Sequence, residues 1–373
     1  MRTPDLNWLK DSRIFQVNRL QAYSDHKYTI GKDKKPSSFS LNGTWKFNQS
    51  KNYDTCFKFF YNTEFNDANW NDIQVPGHIQ LQGFDNPHYT DVTYPWDGHD
   101  VVKPGQIDMD KNKVYQYRKT FDCPQDFIGN KLILSFEGVE SNIYVWLNGK
   151  FIGYSEDSFT PSRFDITKYT QEKDNVLCVR IFQKCTGTWL EGQDMWRFSG
   201  IFRDIMIYKQ PSLHIQDLKI DTNIDLDTKK SILTCTCKMS SNESHTLQAK
   251  LYDPQGNIVW NGNMQDTFEI PVENTSLWSS EYPNLYQLEI VLYDANNEII
   301  ETIQEQVGFR KFTLEYGIMK LNGKRIVFHG INRHEWNAKT GRAIAYEQME
   351  EDIHMLKALN INAVRTSHYP NNS

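Results

Sequence analysis

The closing stretch, Arg325–Ser373 (RIVFHGINRHEWNAKTGRAIAYEQMEEDIHMLKALNINAVRTSHYPNNS), decides how the rest of the chain is read. Ile326-Val327-Phe328 is a short apolar β run, followed by the polar cluster Asn332-Arg333-His334-Glu335. A helical pattern spans roughly Tyr346 to Leu359, and a second β run, Ala363-Val364-Arg365, leads into Thr366-Ser367-His368-Tyr369-Pro370. Strand, helix and strand within about forty residues form a βαβ unit, the building block of parallel sheets. Each strand releases a histidine just past its C-terminal end, the edge at which α/β folds assemble their sites. A complete (β/α)8 barrel needs roughly 250 residues. The expectation is therefore the front of a larger protein that carries one wall of an active site.

Moving outward, Met349, Ile353, Leu356 and Leu359 recur at helical spacing and predict one buried stripe. Glu347, Glu350 and Glu351 lie early in that helix and Lys357 near its end, which complements the helix dipole. Leu321-Asn322-Gly323-Lys324 reads as a hairpin turn ahead of the first parallel strand. Upstream, from Leu213 to Val307, short strands follow one another with turns such as Asp253-Pro254-Gln255-Gly256-Asn257. That pattern predicts an immunoglobulin-like sandwich with no catalytic constellation of its own.

Before Pro211 the pattern is again β: Lys131–Phe136, Asn142–Leu147, Asn175–Phe182 and Arg203–Tyr208, with Asn148-Gly149 as a type I′ hairpin signal. This predicts a jelly-roll-like domain. Residues 1–40 are polar and irregular and read as an arm over a neighbouring domain or subunit. The organisation expected is mainly β and multidomain: arm 1–40, jelly roll 41–209, immunoglobulin-like sandwich 210–308, and the start of a (β/α)8 barrel at 309–373.

Composition narrows the function. A net charge of −6 with both signs mixed along the chain gives no basic stripe for nucleic acid. Met1–Lys10 has no apolar signal core and no apolar run approaches the length of a membrane span, so a cytoplasmic, soluble protein is expected. Six cysteines at scattered positions do not form a disulfide framework, and Cys235 and Cys237 lack metal or redox spacing. They read as reduced thiols. Ten tryptophans, 19 tyrosines and 21 phenylalanines suit sandwich cores and also suit stacking on sugar rings.

Two loci carry candidate chemistry. His334 and His368, at the ends of adjacent parallel strands, could hydrogen-bond substrate hydroxyls. As a metal pair they lack a carboxylate at ligand spacing beyond Glu335. Arg365 lies on the second strand, where it could orient a carboxylate. The other locus is the loop Glu191–Asp204, rich in Asp, Gln, Trp, Arg and Gly. It is either functional or an ion-paired structural loop joining Arg197 or Arg203 to Asp194 or Asp204. Glycoside hydrolysis requires paired carboxylates, and none can be placed in this chain.

These motifs resemble β-galactosidases of glycoside hydrolase family two, over nearly the whole length from Leu41-Asn42-Gly43-Thr44-Trp45 onward. Asn362–Pro370 (NAVRTSHYP) resembles the family signature on the second barrel strand, and Phe328–Glu335 (FHGINRHE) the motif that ends the first. Gln193-Asp194-Met195-Trp196-Arg197 with Ser199–Asp204 resembles the β-galactosidase form of the first-domain loop, which favours galactoside over the substrate of related β-glucuronidases.

The resemblance implies that Asp194 contacts galactose and helps hold a sodium ion. It implies that His334 and His368 bond sugar hydroxyls and that Arg365 supports the nucleophile. It also implies that Asn112, nine residues before Phe121, reaches the site from the first domain, although the residues around it depart from the family pattern. The acid/base and nucleophile glutamates and the Mg2+ ligands would lie later in the barrel, leaving no catalytic residue within 1–373. A small-molecule β-galactoside such as lactose is the expected substrate, and a homo-oligomer or a partner subunit the expected assembly. The competing readings are another family-two glycosidase and a non-catalytic sugar-binding sandwich protein.

Overall fold

A computed structural model describes residues 3–23, 26–94, 96–97, 102–103, 105–192 and 194–372. The first domain packs a seven-stranded antiparallel sheet against a four-stranded one. Strict alternation sets the core. Along Lys131–Phe136, Leu132, Leu134 and Phe136 face inward, joined by Phe164 and Ile207 from the flanking strands Ser162–Asp165 and Ile205–Gln210. The Asn142–Leu147/Lys150–Glu156 hairpin turns at Asn148 and Gly149, whose φ values of 50° and 77° are those a type I′ turn demands.

The N-terminal segment does more than lie over a neighbour. Gln16–Val17 extends the seven-stranded sheet, and Ser38–Ser40 extends the four-stranded one. Tyr28–Ile30 adds a strand to the second domain by pairing with Ile299–Val307. Trp8 and Leu9 are buried in an aromatic cluster with Tyr144 and Trp146. The segment thus ties the first two domains together through backbone hydrogen bonds.

The second domain is a sandwich of seven strands of its own, running from Ile215–Asp225 to Ile299–Val307. Cys235 and Cys237 share its buried face, and all six cysteines are free and buried. The third segment opens with a small antiparallel meander that turns at Asn322 and Gly323. The first parallel strand then falls at Gly330–Arg333, four residues later than the apolar run Ile326-Val327-Phe328 suggests, and it pairs with Ala363–Thr366.

The helix Tyr346–Ala358 connects these two strands. The stripe expected to be buried is not: Ile353 and Leu359 are 55% and 66% exposed, and no residue of the helix is buried. Two parallel strands offer too little surface to cover a helix face. No helix among the described residues is long and apolar enough to cross a membrane.

Candidate active-site wall

The strand Gly330–Arg333 delivers His334 and Glu335 to the first domain, and the strand Ala363–Thr366 delivers His368 and Tyr369 beside them. The two histidine rings lie edge to face, 5.4 Å between centroids. Glu335, 1% exposed, turns away from them into a buried pair with Arg203 at 3.0 Å. Arg203 also donates to the carbonyls of Phe159 and Pro370 at 2.7 and 2.6 Å. Arg203 therefore meets the third segment, and neither Asp194 nor Asp204 as the ion-paired reading of the loop expected. Asp204 instead accepts from the Asn42 amide, and Arg197 donates to the Thr90 hydroxyl.

Arg342 makes a second lock. Its guanidinium pairs with Glu140 and donates to the Trp196 carbonyl at 3.1 Å. Its backbone N–H donates to His78 Nε2 at 3.0 Å. Burial holds the His78 pKa well below the ordinary histidine value, with the Arg342 charge adding to the effect, so the ring stays a neutral acceptor.

Between these locks lies a cavity of about 270 Å³, lined among others by Tyr89, Asp194, Trp196, His334, Trp336 and Tyr369. Strand Met195–Arg197 pairs with His88–Thr90, and that pairing sets the Tyr89 hydroxyl to donate to Asp194 Oδ1. This bond raises the Tyr89 pKa, so the hydroxyl keeps its proton. Trp196, Phe198 and Trp336 stack nearly parallel, with Phe198 and Trp336 at 5.7 Å and 16°. The two indoles are more than a third exposed and form an aromatic wall. The His334 pKa is lowered by partial burial first, then by His368 and Arg342, against an opposing pull from Asp194. A neutral imidazole there can donate and accept hydrogen bonds to hydroxyls.

The structure therefore brings Asp194 and His334 into one cavity, with the His368 ring against His334. It does not bring the other two candidates there. Asn112 is fully buried, and its amide makes a closed pair with the backbone of Lys184, donating at 2.8 Å and accepting at 2.9 Å. With both polar ends spent it pins a turn instead of reaching the cavity. Arg365 is exposed on its strand, 3.5 Å from Asn332 Oδ1, and does not line the cavity. Gln193 lies outside the described residues.

Tyr89, Trp336 and Arg342 had no assigned place in the sequence reading. Trp336 had a signal, following His334-Glu335 directly. Tyr89 and Arg342 had none, because each enters through long-range pairing.

Three models of one family match consecutive parts of the chain. They are Glycosyl hydrolases family 2, sugar binding domain, over 39–211; Glycosyl hydrolases family 2 over 213–310; and Glycosyl hydrolases family 2, TIM barrel domain, over 312–373. The chain belongs to glycosyl hydrolase family 2. Within that family it is 48% identical to a beta-galactosidase of Halalkalibacterium halodurans, across 99% of this chain and 38% of that protein. It is 43% identical to a beta-galactosidase of Streptococcus thermophilus, across 98% and 36% respectively. A beta-galactosidase large subunit of Leuconostoc lactis is 43% identical, across 98% of this chain and 62% of that subunit. The chain thus spans about two fifths of the length of the first two of these relatives and just over three fifths of the third.

Among solved structures, a b-glucuronidase from Ruminococcus gnavus superposes with a TM-score of 0.72 at 20% identity, across 94% of this chain and 57% of that one. At that identity the likeness speaks to the family-2 fold alone.

Proposed function

We propose that this chain forms the substrate-positioning side of a retaining β-galactosidase that hydrolyses terminal β-D-galactosides such as lactose. The observation that carries the proposal is the cavity holding Asp194 and His334 against the Trp196–Trp336 wall. A pyranose presents an apolar face to an aromatic ring and hydroxyls at its rim, and this cavity offers both kinds of surface. His334 would bond hydroxyls as a neutral imidazole, and the His368 ring beside it would offer them a further ring nitrogen. The Asp194 carboxylate would accept from a hydroxyl and would repel the carboxylate of a glucuronide, which favours the galactoside.

Asp194 also fits the sodium ion implied by the family resemblance. One of its oxygens accepts from Tyr89, leaving the other for a cation, and a single carboxylate suits a monovalent ion. Sodium bound there would supply a fixed positive charge for a sugar hydroxyl. Among the described residues no group of three His, Cys, Asp or Glu side chains could hold a metal. The Mg2+ that the family resemblance implies is proposed for the full-length enzyme, on ligands from other parts of the barrel. Arg365 is proposed to support the nucleophile carboxylate once further strands stand beside it. The acid/base and nucleophile glutamates would likewise come from later strands, close together as retention requires. Relatives named as large subunits support a partner subunit, with a homo-oligomer as the other arrangement.

The test compares kcat/KM for nitrophenyl galactoside and nitrophenyl glucuronide in the full-length protein. A preference for the galactoside of at least about 100-fold is expected, or about 3 kcal/mol, the upper end of the cost of leaving one buried polar group unsatisfied. Equal or reversed preference overturns the reading. The 373-residue chain alone is expected to show no turnover, and measurable hydrolysis by it would overturn the placement of the glutamates.

A further inference from the structure

The outer face of the six-stranded sheet in the second domain carries a trough of about 300 Å³, which shares no lining residue with the Asp194 cavity. Its floor follows from strand alternation. On His245–Tyr252, Tyr286–Asp294 and Ile299–Val307 the residues opposite the core-facing set include Tyr252, Gln287, Glu289, Gln304 and Gln306. Register sets Tyr252, Gln287 and Gln306 side by side across three strands, with Lys250, Glu289 and Gln304 as the next row. The turn 253–257 closes one end. Asp253 stiffens that turn, accepting from the backbone N–H groups of Gln255 and Asn257 at 2.9 and 2.8 Å and from the Asn257 amide at 3.0 Å.

A plain solvated sheet face would show its charges to water. Here they are matched within the second row. The Glu289 side chain, 12% exposed, meets Lys34 at 3.4 Å, Lys250 at 3.8 Å and the Gln304 amide at 3.1 Å. Asp253 is committed to its turn. Among the described residues no lysine, arginine or histidine lines the trough. What faces a ligand is therefore neutral. The exposed amides of Gln287 and Gln306 make no hydrogen bond among the described residues, and the half-buried Tyr252 ring stands in the same row.

A primary amide holds donors and an acceptor in one plane, so two amides on neighbouring strands can meet adjacent hydroxyls of one ring. An aromatic face beside them receives the apolar C–H side of the same ring. A surface whose carboxylates are already matched, with no cation lining it, offers nothing to a phosphate or a nucleic acid. It also leaves no free carboxylate to hold a metal ion. The volume stands at the lower end of the range of about 300–1,000 Å³ usual for small-ligand clefts.

We infer that this trough is a second, non-catalytic binding site for a neutral saccharide, held by the Gln287 and Gln306 amides and the Tyr252 ring. It would retain saccharide at the second domain without touching the sugar in the Asp194 cavity. The inference uses no residue of that cavity and does not depend on the galactosidase reading.

The test is isothermal titration of the full chain carrying Asp194→Asn, which disables the other cavity, with lactose, cellobiose, maltose and glucuronate at millimolar concentrations. Saturable binding of at least one of the three neutral disaccharides is expected, unchanged by added salt. Tyr252→Ala should weaken it at least about tenfold through loss of the ring contact. The double variant Gln287→Ala/Gln306→Ala should weaken it by at least the same factor, the loss of two hydrogen bonds. These side chains lie outside the core, and circular dichroism would check that each variant is folded. Four results would each overturn the inference. They are no binding of any disaccharide, glucuronate binding as tightly as the neutral sugars, binding that survives both sets of substitutions, and self-association of the chain that Tyr252→Ala abolishes in sedimentation, which would make the face an interface between copies.

Discussion

Replacing Arg342 by methionine tests the lock between the first domain and the third segment. Its guanidinium side chain is 1% exposed and its partner Glu140 is 15% exposed, so the variant leaves a buried carboxylate without its cation. Breaking such a pair from one side costs about 3–5 kcal/mol. An independent bound comes from protonation. The orphaned Glu140 can take up a proton, and from an ordinary value of 4.5 this costs about 1.4 kcal/mol per pH unit, or about 3 kcal/mol at pH 7. Loss of the donor to the Trp196 carbonyl adds about 1 kcal/mol.

The protonation part depends on pH. Burial already raises the Glu140 pKa while Arg342 opposes that rise. Without Arg342 the folded value climbs further, so the variant loses stability as pH rises through it. Destabilisation should therefore shrink by about 2 kcal/mol between pH 7 and pH 5. The assay is urea unfolding followed by tryptophan fluorescence, which reports mainly on the first domain because seven of the ten tryptophans precede Pro211. Glu140→Gln in the same background should recover much of the loss, giving a coupling of about 2 kcal/mol in the double-mutant cycle. A loss below about 1 kcal/mol, or one equal at the two pH values, would refute the buried pair.

Other expectations concern single contacts. Gly341→Ala places a methyl carbon 2.7 Å from the His78 ring at a residue with φ of +63°, so undocking of the third segment by about 1–3 kcal/mol should appear in the same urea titration. Glu301→Gln removes a carboxyl whose folded pKa of about 7 lies above its unfolded value, so its stabilising effect is full below pH 4.5 and lost as pH rises through 7. The wild type should lose up to about 3 kcal/mol across that window, and the glutamine variant should show a flatter thermal-melt profile from pH 5 to 8. In the full-length protein, Asp194→Asn should lower kcat/KM for nitrophenyl galactoside by about 100-fold and abolish any response to added sodium, measured by initial rates at constant ionic strength.

Local signals read correctly where the physics is local. Asn148-Gly149 and Asn322-Gly323 name turns because only such pairs adopt two positive φ values cheaply, and both turns form. Cys235 and Cys237 share a buried face because strand period is two. The apolar run Ile326-Val327-Phe328 misled by position, since apolarity does not distinguish the end of a meander from the start of a parallel strand. The helix stripe misled because period announces which side could be buried and says nothing about what is there to cover it. Asn112 stands at the spacing from Phe121 that the family resemblance points to, yet its amide is satisfied by Lys184, a partner 72 residues away.

The same limit explains the site. Asp194 and His334 were each suspect from their own neighbours, but what joins them is a pair of cation–carboxylate contacts, Arg203–Glu335 and Arg342–Glu140, across 132 and 202 residues of chain. No window of sequence states which of several arginines meets which glutamate. Buried pairs of this kind add little net stability, because desolvation offsets most of their attraction. They penalise wrong arrangements strongly, since any shift of the third segment leaves four charged groups buried and unmatched. That asymmetry suits a cavity whose two halves belong to different domains. Apolar contacts such as Phe159 on Tyr369 at 4.7 Å would tolerate sliding, whereas the charged pairs fix register and with it the placement of His334 against Asp194.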